Sequence, residues 1–149
     1  KNVNVENAKD DNLEGKNKEI FLKGAEIAYE GIITAFAKGD QSKLKGLLTH
    51  EMFSSFDRAI VQRNKEQLKS ELTFIGFKNS TLEKFETIKD KSFATVKFIS
   101  EIISVKKDKD NKIVDGNPDR IKTVTDHWKF TKKTSSKNPN WQLSEIISK

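Results

Sequence analysis

Several residue types that build common kinds of site are absent from the sequence or rare in it. The 149 residues include no cysteine, which excludes disulfide bonds, thiolate metal sites and cysteine nucleophiles together. The two histidines, His50 and His127, lie far apart with no second ligand nearby, so no zinc site is predicted. No apolar run approaches the ~20 residues that a membrane-spanning helix needs.

Motifs of catalysis and of nucleotide binding are also missing. The chain has no Gly-x-Ser-x-Gly turn, no glycine-rich phosphate loop and no dinucleotide fingerprint. The segment from Asp108 to Lys112 partly matches a calcium loop, but Lys112 stands where an oxygen ligand is required. We therefore predict neither a metal nor a cofactor.

The composition indicates one folded domain with a basic surplus. Hydrophobic and charged residues each make up 34%, ten residues are phenylalanine, and a chain of this length buries about 68–70% of its unfolded surface. The net charge is +6, and residues 106–149 hold most of the surplus, with 11 basic and 6 acidic residues. Nucleic-acid binding is not predicted, because the aromatic residues fall on the inward faces of the elements instead of alternating with exposed Lys and Arg.

Helical periodicity dominates the first half of the chain. Residues 1–17 are polar and are predicted to form a linker or arm, and residues 18–149 a single domain. Apolar residues then recur at helical spacing up to Gly39, which is typical of a helix C-terminus. Two shorter helices are predicted to follow, with Asp40 and Thr49 as their N-caps.

The second half alternates in the manner of strands. Strands are predicted at Leu72–Phe77 with a bulge at Gly76, and at Thr81–Lys89, Phe93–Val105, Arg120–Thr131 and Trp141–Ile147. Lys106–Pro118 is predicted to be a charged loop at an exposed hairpin end. This order predicts an α+β fold in which the N-terminal helices pack on one face of a strongly curved antiparallel sheet, forming a cone with an open mouth.

An inward-facing stripe of mostly aromatic residues is the candidate ligand-binding site. It comprises Phe53, Phe56, Ile60, Phe98, Asp126, Trp128 and Phe130. These residues either line a pocket or simply fill the core, as aromatic residues at such spacing usually do.

Asp126 leaves two interpretations open. Its carboxylate either bonds to backbone amides or to an arginine such as Arg58 or Arg63, or has a raised pKa and acts as a general base on an apolar substrate. The structural interpretation is favoured. The neighbouring His127 is expected to face the opposite side of the strand, so the two do not form an acid–base pair.

An ordered set of segments resembles a known family. The segments are Phe21–Tyr29, Ile33–Asp40, Leu47–Phe53, Phe98–Glu101, Asp115–Asp119, Val124–Phe130 and Pro139–Leu143. Together they resemble the C-terminal domain of the mitochondrial inner-membrane translocase subunit of forty-four kilodaltons, in a bacterial form of the alphaproteobacterial type. The resemblance implies a nuclear-transport-factor-two-like or cystatin-like fold, no enzymatic activity and affinity for anionic lipids such as cardiolipin. In the family the chaperone-binding segment lies upstream of this domain, so the resemblance does not lead us to expect chaperone tethering from these residues.

The resemblance and the residues together predict a membrane-associated scaffold or adaptor in protein transport or membrane-protein assembly. Its expected partners are anionic lipid of the inner membrane and membrane or translocation proteins, with an acyl chain or lipid as the pocket ligand. The expected location is the bacterial inner membrane, with the cytoplasmic face favoured, held peripherally or by a segment upstream of Lys1. Membrane contact is predicted for Lys106, Lys107, Lys109, Lys132, Lys133 and Lys137. The alternatives are a small enzyme of the same fold using Asp126 and a purely structural assembly module.

Overall fold

The fold consists of helices followed by a long-stranded antiparallel sheet. A computed structural model describes residues 13–135 and 140–148 of the chain. In these ranges the elements are α1 (Gly15–Lys38), α2 (Gln41–Leu47), α3 (His50–Lys65), β1 (Lys69–Ile88), β2 (Lys91–Lys107), β3 (Ile113–Gly116), β4 (Lys122–Lys133) and β5 (Gln142–Ile147). The predicted α+β order is confirmed. Helix α1 begins three residues before its predicted start, and residues 1–12 of the predicted arm lie outside the described residues.

The helix boundaries form through the predicted caps. Gly39 adopts a left-handed conformation (φ 74°) that ends α1, and its N–H donates to the carbonyl of Phe36 at 3.1 Å. The Asp40 side chain accepts from the backbone N–H of Lys43 at 3.1 Å, and Thr49 caps α3 in the same way. Together these caps turn the chain sharply twice and place α2 beside α1.

The sheet order is β1-β2-β4-β5, and β3 extends the sheet beside β2. The two strands predicted at 72–77 and 81–89 are one strand of 20 residues, because pairing with β2 continues at Asn79 and Ser80. The register shifts between Phe74 and Gly76, which confirms the predicted bulge, and shifts again at two later points. Such bulges bend a strand, and in this way the sheet curls around α1.

The charged segment after β2 departs from its prediction as a loop. Its residues Ile113–Gly116 form β3, in which Asp115 pairs with Lys106. The Asp-Gly pair lies at the end of this strand and not in the turn. The turn lies at residues 108–112 instead, where the Asp108 carboxylate accepts from the backbone N–H groups of Asp110 and Lys112 at 2.9 and 3.0 Å.

The core lies between α1 and the concave face of the sheet. Tyr29 is 1% exposed, and its ring centroid lies 4.5 Å from those of both Phe98 and Trp128. Ile32 on α1 and Leu143 on β5 are fully buried in the same cluster. Within the described ranges, no helix has the length and apolar character needed to cross a bilayer.

Candidate functional site

The strand residues of the predicted ligand site form the closed core. Phe98, Trp128 and Phe130 are at most 3% exposed, and the Phe98 ring lies 5.9 and 6.2 Å from the other two. Rings packed at these distances occupy the interior themselves. Phe130 also borders a cleft.

The helical residues of the same predicted site lie on the α3 side of this core. On α3, Phe56 packs edge-on against Phe36 of α1 at 5.1 Å, and Ile60 is buried. Phe53 lies under the ammonium group of Lys45, 5.8 Å from its ring centroid. Ile60 belongs to the same buried cluster as Phe98, Trp128 and Phe130, and Phe53 and Phe56 pack against that cluster. These residues are therefore continuous parts of one core.

Asp126 bonds to a tyrosine and not to either arginine that the sequence suggested. Tyr29 Oη donates to Asp126 Oδ2 at 2.6 Å and lies 3.1 Å from Ser100 Oγ. Burial, together with the bond to Asp126, raises the pKa of Tyr29 above its ordinary range. Arg63 instead donates to the Phe36 carbonyl at 2.8 Å at the C-terminus of α1. Burial lowers the pKa of Arg63.

Tyr29 is the partner that sequence reasoning missed. It is the only tyrosine in the chain and lies 97 positions before Asp126, so no local spacing connects the two. The sequence does place Tyr29 on the inward face of a helix. A buried hydroxyl needs a hydrogen-bond partner, so this position could have indicated that Tyr29 bonds to a polar group of the sheet. As predicted, Asp126 and His127 diverge, and His127 Nδ1 lies 3.0 Å from Glu83 Oε1 on the other face. This arrangement favours a structural role for Asp126.

A cleft of about 880 Å³ opens between α1, α2 and one end of the sheet. The sheet contributes the end of β1, the start of β2, the end of β4 and the residues around the start of β5. Most of the lining is apolar, including Phe21, Phe85 and Trp141, and the Trp141 ring contacts the other two at 5.1 and 6.2 Å.

Small residues on α1 leave this space open. Gly24, Ala28 and Gly31 face the cleft, and a Cβ atom at Gly24 would meet no atom within 4 Å. Ile20 and Ile27 also line the cleft and are 65% and 73% exposed, an unusual state for large aliphatic side chains on a helix that otherwise packs on a sheet. The first half of α1 therefore presents apolar surface to an open cavity.

The charged side chains that line the cleft are positive. Among its described lining residues, the charged side chains are Lys43 and Lys132, and none is a carboxylate. Thr87 and Ser92 add hydroxyl groups, which bond to each other at 3.2 Å. An apolar cleft with two ammonium groups fits a ligand with an apolar body and an anionic head.

The predicted lysine cluster is divided between the two ends of the sheet. Lys132 pairs with Ser92 at the cleft end, whereas Lys106 lies 14 positions further along β2, which is roughly 45 Å of strand. Lys133 lies beside Lys132, Lys107 and Lys109 lie near Lys106, and Lys137 falls outside the described residues. The five described lysines therefore do not form one surface.

Comparison with known proteins identifies the family. The model of the Tim44-like domain matches residues 14–148, which is nearly the whole chain. The chain belongs to the Tim44-like family. Tim44-like domains are associated with membranes and with protein transport and are generally not enzymes. No curated protein matches this chain.

Several solved structures are similar to this Tim44-like domain, including the following two. The intermembrane space region of the chloroplast protein ARC6 superposes with a TM-score of 0.56 at 13% identity, over 86% of this chain and 97% of that one. A conserved protein from Planctomyces limnophilus has a TM-score of 0.44 at 14% identity, over 83% and 94%. At this identity the ARC6 similarity shows the fold alone, in agreement with the curled, nuclear-transport-factor-two-like sheet.

Proposed function

We propose that this domain is a non-enzymatic membrane adaptor of protein transport or membrane-protein assembly that holds an anionic lipid by its acyl chain in the cleft. The cleft is the observation that supports this proposal. Its volume of about 880 Å³ is enough to hold an acyl chain, and the lining of the cleft is mainly apolar. Lys43 and Lys132 supply the positive charge that an anionic headgroup requires. The bacterial inner membrane, cytoplasmic face, remains the proposed location.

Tryptophan fluorescence tests the acyl-chain site directly, because Trp141 lines the cleft while Trp128 is buried in the core. Vesicles of phosphatidylglycerol with brominated acyl chains should quench Trp141, and a Trp141→Phe variant identifies its share of the signal. Vesicles of phosphatidylcholine with the same brominated chains should quench it less, because that headgroup has no net charge.

A side chain that fills the cleft should remove most of the quenching of Trp141 by brominated lipid. Gly24→Phe places a ring where no atom lies within 4 Å of the Cβ, so the fold is expected to persist while most of the quenching is lost. Ala59→Phe, at an exposed helical position away from the cleft, is the matched control and should quench like the wild type. Undiminished quenching in folded Gly24→Phe would refute the acyl-chain site. Equal failure of the protein to float with cardiolipin-containing and cardiolipin-free vesicles would refute lipid binding altogether.

A further inference from the structure

A group of exposed aliphatic side chains lies at the end of the sheet opposite the cleft. In the connection from β2 to β4, the exposed fractions of Ile113, Val114 and Ile121 are 44%, 53% and 55%. Scattered single aliphatic side chains are common on protein surfaces, but here three fall within nine residues of one hairpin end. We call residues 106–122, which contain them, the distal hairpin.

The charges of the distal hairpin are predominantly basic. Its basic residues are Lys106, Lys107, Lys109, Lys112, Arg120 and Lys122, and its acidic residues are Asp108, Asp110, Asp115 and Asp119. The Asp108 carboxylate is engaged with two backbone N–H groups of its own turn. Lys109 and Lys112 are exposed in the turn at residues 108–112, which directly precedes Ile113 and Val114 in the chain.

The distal hairpin is held in a defined conformation. The turn at residues 108–112 is closed by the bonds to Asp108, and Gly116 lies so close to β2 that a Cβ there would meet the Ser104 carbonyl oxygen at 2.1 Å. The backbone on both sides of Ile113 and Val114 is therefore ordered before binding, which lowers the ordering cost.

The residue types favour a lipid surface over a protein partner. Protein interfaces are enriched in aromatic residues and arginine and depleted in lysine. The distal hairpin contains no aromatic residue, and five of its six basic residues are lysine. Aliphatic side chains that enter the acyl boundary, surrounded by lysines that meet anionic headgroups, are typical of interfacial membrane binding.

We propose that the distal hairpin is a membrane-contact site that inserts Ile113, Val114 and Ile121 into the interface of an anionic bilayer. This inference rests on the membrane association in the proposed function but not on the acyl-chain cleft. The two sites lie at opposite ends of β2, so they can be tested separately.

An environment-sensitive fluorophore tests the insertion. Because the chain has no cysteine, Val114→Cys gives one labelling site for nitrobenzoxadiazole, and Ile88→Cys, at 52% exposure on β1, gives a matched control. Phosphatidylglycerol vesicles should shift the emission of the label at position 114 to shorter wavelength and leave that at position 88 unchanged. A label at position 114 that stays in water while the protein is bound to vesicles would overturn the proposal.

Replacement of the aliphatic side chains tests their contribution. The triple variant Ile113→Thr, Val114→Thr and Ile121→Thr keeps β-branched residues, so the hairpin should fold, and its partitioning onto the same vesicles should weaken at least about tenfold. The matched control replaces Ile75, Ile88 and Ile146 by Thr, which are 46%, 52% and 43% exposed, and should bind like the wild type. Equal weakening in both triple variants, or in neither, would refute a specific role for the hairpin.

A soluble lipid separates the two proposals. A short-chain brominated phosphatidylglycerol, used below the concentration at which it aggregates, should quench Trp141 equally in the wild type and in the Ile113/Val114/Ile121 triple variant. Insertion of the label at position 114 without this quenching would refute the cleft alone, and quenching without insertion would refute the distal hairpin alone.

Discussion

At the scale of single residues, Tyr29 connects α1 to the sheet by two kinds of contact. Its ring packs against Phe98 and Trp128, and its hydroxyl bonds to Asp126 and Ser100. The hydroxyl therefore satisfies a carboxylate that would otherwise face the aromatic interior.

Tyr29→Phe should lower the free energy of unfolding by about 1.5–3 kcal/mol, because it removes a hydrogen bond to a charged group. The Asp126 carboxylate and the Ser100 hydroxyl each lose one hydrogen-bond partner. Urea unfolding at neutral pH measures this loss. A loss below about 0.5 kcal/mol would show that the Tyr29 hydroxyl is replaceable by water.

The raised pKa of Tyr29 also predicts a pH dependence of stability. Above pH ~10 the unfolded chain releases the tyrosine proton while the folded chain keeps it, so the unfolded state binds fewer protons and stability falls as pH rises. The loss is about 1.4 kcal/mol per pH unit for this group and should be absent in Tyr29→Phe. Since the chain has one tyrosine, the ultraviolet absorbance of tyrosinate reports its titration without interference from another.

At the scale of elements, β3 depends on close backbone contact with β2. Gly116 has φ 87° and pairs with Val105, and its Cα hydrogen occupies the space that a side chain would need. The β2–β3 pairing thus requires glycine at this position for two reasons, conformation and contact.

Gly116→Ala should destabilise the distal hairpin by more than the ~1–2 kcal/mol that a left-handed residue costs, because the Ser104 carbonyl must also move. Hydrogen exchange should show loss of protection in β3 while the core of β2 and β4 stays protected. Gly24→Ala is the contrasting control and should stabilise the protein by about 0.5–1 kcal/mol, since it is helical and open. Unchanged protection of β3 in Gly116→Ala would contradict this account.

At the scale of the whole molecule, the register of β2 separates the basic groups that the sequence places close together. Lys132 and Lys133 follow the tip of the distal hairpin by only some 20 positions, yet the chain returns along the full length of the sheet between them. The basic residues therefore form two separate regions. One lies beside the apolar cleft, and the other lies on the exposed distal hairpin.

Charge reversal should separate the two regions. Lys43→Glu with Lys132→Glu should reduce the quenching of Trp141 by anionic lipid and leave vesicle partitioning nearly unchanged. Lys109→Glu with Lys112→Glu should do the opposite, weakening partitioning at least about tenfold at low salt, since each basic residue near an anionic surface contributes about 1 kcal/mol. Each pair is the control for the other, and the same response from both would argue against two separate sites.

Much of this protein was determined by the sequence alone, through local physical chemistry. Helical and alternating periodicity predicted the α+β order. Gly39 ends α1 through its left-handed backbone, and Asp40 and Thr49 cap the next two helices through their side-chain oxygens. The bulge at Gly76 and the opposite orientations of Asp126 and His127 likewise follow from strand geometry between neighbouring residues.

Tertiary structure decided the features that depend on residues distant in the chain. Asp126 is satisfied by Tyr29, and β3 forms because residues 113–116 find unpaired backbone groups at the end of β2. The predicted aromatic stripe fills the core because α3 packs against the buried rings of the sheet. The cleft arises where the small residues of α1 lie opposite α2 and the end of the sheet, and no periodicity in one segment predicts the space left between three. Local sequence specifies which face of an element is apolar, but the register and the packing of the elements determine whether that face is filled, leaves a cavity or remains exposed.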